Sequence, residues 1–177
     1  MADTGSRITA NAQAGQFFSI TYYPDVPSSP IERRLVFENP AANKKTMYLE
    51  NVSGGIWITP GTTPRDDYQA TLDVFIAEVD NITRGPTLTP VNFNLGSSIA
   101  STIIASHSPV DYHLTKDLYD TTHPTGEYSL NFGGKIIVPP GHILFISLVS
   151  NESDIRGVLS ITVIWYELEH EQGDGIL

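Results

Sequence analysis

The chain's imidazoles are His107, His113, His123, His142 and His170, and two of them fall in a stretch that also holds Asp111, Asp117 and Asp120. Imidazole and carboxylate are the donors a metal site draws on, but two or three must converge in a recurrent spacing, and no His-Glu-x-x-His or similar pattern occurs here. A solvated loop is the expectation, with no bound metal. Only a three-fold axis, where each chain brings one His, would offer an ion a set of ligands. The adjacent carboxylates Asp66 and Asp67 do not make an acid–base pair, because neighbouring residues on a strand point to opposite faces and loops solvate such pairs. No Gly-x-Ser-x-Gly elbow and no glycine-rich phosphate loop is present. Without cysteine there is no thiolate nucleophile, thiolate metal site or disulfide. The chain is therefore expected to be no enzyme and to use no cofactor.

Charge narrows the partners. Ten Lys and Arg against twenty Asp and Glu give a formal net charge of -10, which repels a phosphate backbone, so nucleic acid is not an expected partner. Arg33-Arg34 and Lys44-Lys45 are the only adjacent basic pairs, and a solvated strand edge accounts for them. No apolar run approaches the ~18 residues of a membrane span, and residues 1–17 do not read as a signal peptide, so no membrane is expected either. The sequons at Asn51, Asn81 and Asn151 are what an Asn-, Ser- and Thr-rich chain produces by chance.

The elements that would carry any site are strands. With 177 residues, 40% hydrophobic and only 17% charged, the chain fits a single domain rich in turn and strand-surface residues. Residues 1–16 contain one large aliphatic side chain after Met1, Ile8, and read as an extended N-terminal arm. Residues 17–170 read as one β-sandwich domain and residues 171–177 as a tail. Strands are expected at Phe17–Tyr23, Ile31–Glu38, Thr46–Val52 and Ile56–Thr59, with Asn39-Pro40 returning the chain and Ser53-Gly54-Gly55 breaking it. The segment Pro60–Gln69 reads as a surface loop. Thr71–Val79 alternates clearly, Pro90–Gly96 and Thr102–Ser106 less so, and Asp111–Asp120 suits one or two helical turns. Lys135–Val138 and Ile143–Val149 flank a Pro139-Pro140-Gly141 corner. The closing strand, Gly157–Glu169, sets Leu159, Ile161, Val163 and Trp165 on one face and Ser160, Thr162, Ile164 and Tyr166 on the other. Roughly eight to ten short strands with turns between them predict an all-β, two-sheet antiparallel sandwich of jelly-roll type.

Aromatic residues are the remaining candidates for function. Phe17 and Phe18 cannot share one core, so their strand is either covered on both faces or makes a contact with another subunit. Ile8, Phe17, Phe18, Tyr22 and Tyr23 are thus the candidate subunit or capsid contact. Trp57, Tyr68, Tyr112 and Tyr119 are candidates for exposed loops that stack on a partner such as a sugar.

Four stretches in order carry a family resemblance: Asn39-Pro40 leading into Lys44-Lys45-Thr46-Met47-Tyr48-Leu49; Gly85-Pro86-Thr87-Leu88-Thr89-Pro90-Val91-Asn92-Phe93-Asn94-Leu95-Gly96-Ser97; Ile136-Ile137-Val138-Pro139-Pro140-Gly141; and Trp165-Tyr166-Glu167. Over residues 31 to 169 this arrangement resembles the β-rich structural proteins of tailed bacteriophages, which include head decoration, head-fibre and tail-associated subunits. The resemblance implies a homotrimer on the outer surface of a virion, assembled in the host cytoplasm, with the major capsid protein or another virion protein as partner. Three functions stay open on these grounds. A decoration subunit would bridge neighbours with residues 1–16 as a tether. A receptor- or glycan-binding fibre module would use the exposed aromatics, and a small β-sandwich enzyme would need the metal ligands that the spacing does not supply.

Overall fold

The computed structural model describes residues 4–23, 32–59, 69–78, 83–109, 116–124, 126–150 and 156–169. In chain order they form α1 (Thr4–Gln13), β1 (Phe17–Tyr22), β2 (Glu32–Asn39), β3 (Lys45–Thr59), β4 (Gln69–Glu78), β5 (Thr87–Leu88) and β6 (Val91–Asn92). Then come β7 (Ile104–His107), β8 (Lys116–Pro124), β9 (Gly126–Val138), β10 (His142–Ser150) and β11 (Arg156–Glu169). A first sheet has the order β6-β1-β11-β3-β9 and a second the order β5-β7-β2-β10-β4-β8. The pairings in both are antiparallel.

The long strands pair as a ribbon folded back on itself: β1 with β11, β2 with β10, β3 with β9 and β4 with β8. Successive rungs of this ribbon alternate between the first and second sheets. The reversal lies between β4 and β8, and β5, β6 and β7 within it extend the sheet edges. Between the sheets, Phe18, Leu49, Val163 and Trp165 from the first meet Leu35, Phe37, Leu144 and Ile146 from the second in one core. Trp165 sits at its centre of aromatic contact, 6.0 Å from the Phe18 ring and 5.4 Å from that of Phe37. The expected two-sheet antiparallel sandwich is the fold observed. Leu159, Ile161, Val163 and Trp165 form the buried row of β11, as their period of two requires.

Several local expectations are corrected. Asn39-Pro40 does not return the chain as a hairpin, because β2 and β3 lie in different sheets. Ser53-Gly54-Gly55 does not break β3, which runs on through it. A Cβ at Gly54 would lie 1.9 Å from the Ser160 carbonyl oxygen, so the glycine admits a close approach of β11. Lys116–Asp120 is the start of a strand, not helical turns; the pairing of β8 with β4 outweighs local preference. Gly133 and Gly134 lie inside β9. With φ of 57° and 73° they build a bulge inside β9, where the register to β3 shifts between Asn51↔Asn131 and Leu49↔Ile136.

The N-terminal segment is not extended either: Thr4–Gln13 is helical. Its end is a Schellman motif, with the Gln16 amide donating to Asn11 O at 2.9 Å, the Gly15 amide to Ala12 O at 3.0 Å, and Gly15 at φ 70°. The Asn92 and Asn94 side chains donate to the Gly15 and Gln13 carbonyls at 2.9 and 3.1 Å. These are carbonyls a helix end leaves without intrahelical partners, and the docking that supplies them comes from eighty residues downstream. Residues 171–177 lie outside the described set.

Candidate protein-contact site

Among the described residues, no group of three or more His, Asp or Glu side chains is placed to hold a metal ion. His107 on β7 stacks on Tyr22 at 4.5 Å, and burial lowers its pKa. His123 on β8 packs beside Tyr128, whose own pKa is raised by burial and whose hydroxyl donates to Ser160 O at 3.0 Å. His142 contacts the Pro140 carbonyl through Nδ1 at 3.2 Å. Asp66, Asp67, Asp111, His113 and His170 lie outside the described residues. Asp73 on β4 stands opposite Asp120 on β8, with Asp117 nearby. Burial first, then repulsion from Asp120 and Asp117, raises its pKa to about 6.

The aromatic candidates divide. Phe17 and Phe18 are both buried within the chain and are not a free contact surface. Phe18 enters the core, while Phe17 on the opposite face is covered by Phe93 at 5.1 Å and Tyr166 at 6.3 Å. Tyr166 stacks in turn on Tyr48 at 5.0 Å, so an aromatic row crosses the outer face of the first sheet. Tyr22 is half-buried against His107 and Tyr23 is exposed. Ile8 falls on α1, with its side chain outside the described set. Trp57 is exposed, but on β3 and not on a loop. Tyr119 is no loop residue either: it sits on β8, half-buried, edge-on to Phe132 at 5.4 Å. Tyr68 and Tyr112 lie outside the described residues.

The exposed apolar segment that sequence reasoning missed runs from Val91 to Ile99. The alternation Val91-Asn92-Phe93-Asn94-Leu95 suggests a strand with its apolar residues inward, yet the asparagines are the residues that are tied down. Asn92 Nδ2 also donates to Ile99 O at 2.8 Å, and its Oδ1 accepts from the Asn94 amide at 2.9 Å. The Asn94 side chain accepts from the Gly96 amide at 3.1 Å, and its carbonyl accepts from the Ser97 amide at 2.9 Å. These are Asx-turn bonds, and Asn-x-Asn followed by Gly-Ser is the signal that could have revealed them. With the polar groups engaged, the apolar side chains turn outward: Val91 is 55% exposed, Phe93 48%, Leu95 87% and Ile99 41%.

A second polar network fixes the other side of this segment. The buried Glu167 carboxylate accepts from the Ser101 hydroxyl, from the Thr102 amide at 3.0 Å and hydroxyl at 2.6 Å, and from Trp165 Nε1 at 3.1 Å. Four donors compensate the cost of burying the group. The chain of bonds continues from Thr102 Oγ1 through Asn43 Nδ2 at 2.8 Å to Asn39 Oδ1 at 2.6 Å. Buried Asn39 then donates to Lys45 O at 2.9 Å and Val138 O at 2.8 Å. Residues 91–103 are thus anchored at both ends and present their apolar tip from a fixed base. Neither a model of a known protein family nor a curated protein matches the chain.

Proposed function

We propose that the chain is a structural subunit of a tailed-bacteriophage particle, one that binds the outside of the head and bridges neighbouring subunits as a homotrimer. The observation that carries this reading is the anchored apolar tip at Val91, Phe93, Leu95 and Ile99. A loop whose asparagines all bond inward and whose aliphatic and aromatic side chains face solvent suits contact with another protein. The folded-back ribbon of eight long strands in two sheets supports a jelly-roll reading, an architecture used by viral capsid proteins. The net charge of -10 favours a position away from packaged nucleic acid. Assembly would take place in the host cytoplasm before or as the subunit joins the virion.

Heads made by a phage lacking this chain, mixed with the purified protein and sedimented, test the reading. The wild-type chain should travel with the heads and Leu95→Asp should stay behind. Equal co-sedimentation of both, or of neither, would count against it.

A further inference from the structure

The outer face of the first sheet is set apart by what it excludes. In a chain of thirty charged residues, its three central strands turn outward only uncharged side chains through their middle: Ser19 and Thr21 on β1, Thr162 and Ile164 on β11, Asn51 and Ser53 on β3. Glu50 falls at the bulge between Leu49 and Asn51 and is buried. Among the described side chains, charge returns at the β9 edge, with Glu127 and Lys135. Below this polar field runs the row of Phe17, Tyr166 and Tyr48, and it ends in half-exposed apolar side chains at both margins, Phe93 on one and Ile137 on the other.

Two copies of a chain with net charge -10 repel each other wherever charged surfaces approach. On this face they can meet with no like charges opposed across its centre. A cationic partner would instead be drawn to the second sheet, where Asp73, Asp117 and Asp120 gather. Size agrees as well. β3, β11 and β9 run 15, 14 and 13 residues and β1 runs 6, so at ~3.3 Å per residue and ~4.8 Å between strands they make a face on the order of 750 Å², against ~800 Å² per partner in a standard interface. We propose that the outer face of the first sheet is the surface through which copies of this chain bind one another. The inference rests on reading the chain as an assembling subunit, and it names the face that does the assembling.

The chain has no cysteine, so a single introduced one reports on its own position. Thr162→Cys places a thiol on the proposed face, and Asp120→Cys places one on the exposed edge of the second sheet. Sedimentation of the wild-type protein should give an oligomer, and Thr162→Arg a monomer with an unchanged circular dichroism spectrum. Maleimide labelling of Thr162→Cys should slow by about 10-fold or more once the protein is concentrated enough to associate, while Asp120→Cys labels at one rate throughout. If Thr162→Arg does not fold, the two cysteine variants still decide the matter. A wild-type monomer at ~100 µM would overturn the proposal, as would protection of Asp120→Cys with free labelling of Thr162→Cys. No particle is present in these measurements. A monomer that binds heads therefore removes this interface and the homotrimer but leaves head binding standing, and an oligomer that binds none does the reverse.

Discussion

On the outer face of the second sheet, Val36, Ile143 and Phe145 form an apolar cluster with Phe75, and the chain itself buries it. Charge surrounds that cluster: Glu38 pairs with Arg84 on one side, and Asp73, Asp117 and Asp120 gather on the other. On the outer face of the first sheet the apolar row is covered only at its middle, its margins at Phe93 and Ile137 stay half-exposed, and the central strands turn no charge outward through their middle. Apolar side chains therefore sit in two different settings in one sandwich. Covered and fenced by charge, they stabilise a single chain; left open on a neutral field, they are suited to stabilise an assembly.

The comparison breaks most severely at Phe145. Its ring meets Phe75 edge-on at 6.1 Å and is almost fully buried, so Phe145→Ala should cost about 3–5 kcal/mol in chemical denaturation, whether or not the protein is associated. A loss that depends on protein concentration would mean that this face, too, is an interface.

A smaller effect is expected at Gly134, where the backbone is at φ 73° and a Cβ would lie 2.1 Å from the Tyr166 hydroxyl oxygen. Gly134→Ala should cost about 1–3 kcal/mol from strain and from displacement of the stacked Tyr166 ring. Because Tyr166 belongs to the aromatic row, the same change should weaken self-association. Thermal melts at several concentrations separate the two effects.

The smallest change sharpens the other face. The Asp73 carboxyl has its pKa raised to about 6, above its unfolded value, so folding favours the protonated form. Above that pH the carboxylate is charged in both states and the fold carries the full penalty. As pH falls through 6 toward 4 the penalty fades, and this group's contribution to stability improves. Asp73→Asn should raise the melting temperature slightly at pH 7 and remove that part of the pH dependence between 4 and 6. An unchanged melting profile across that window would show that neither burial nor Asp120 and Asp117 burden Asp73.

Much of this arrangement could be read in the residues. The period of two in Gly157–Glu169 identified the buried row of β11, and Pro139-Pro140-Gly141 marked a corner between sheets, with Gly141 at φ 81°. The pair Phe17-Phe18 left two readings open, a strand covered on both faces or a contact with another subunit; the first is the one observed, with the cover coming from Phe93 and Tyr166 of the same chain. What stayed hidden depends on partners far away in sequence. Glu167 shares the inner face of β11 with Trp165, and nothing local announces the donors from Ser101 and Thr102 that allow its burial. Thr4–Gln13 lacked a large apolar face, and its helix end is met by Asn92 and Asn94. The tip at Leu95 was masked because alternation alone does not say which face is buried. There the asparagines found partners first.

The most direct test of the account is to look for the protein on particles. Under the proposed function, virions of a phage carrying this chain, analysed by mass spectrometry and labelled with gold-conjugated antibody to it, should contain it in many copies with gold on the outer surface of intact heads. Virions that lack the chain, or label only after the heads are broken open, would contradict it.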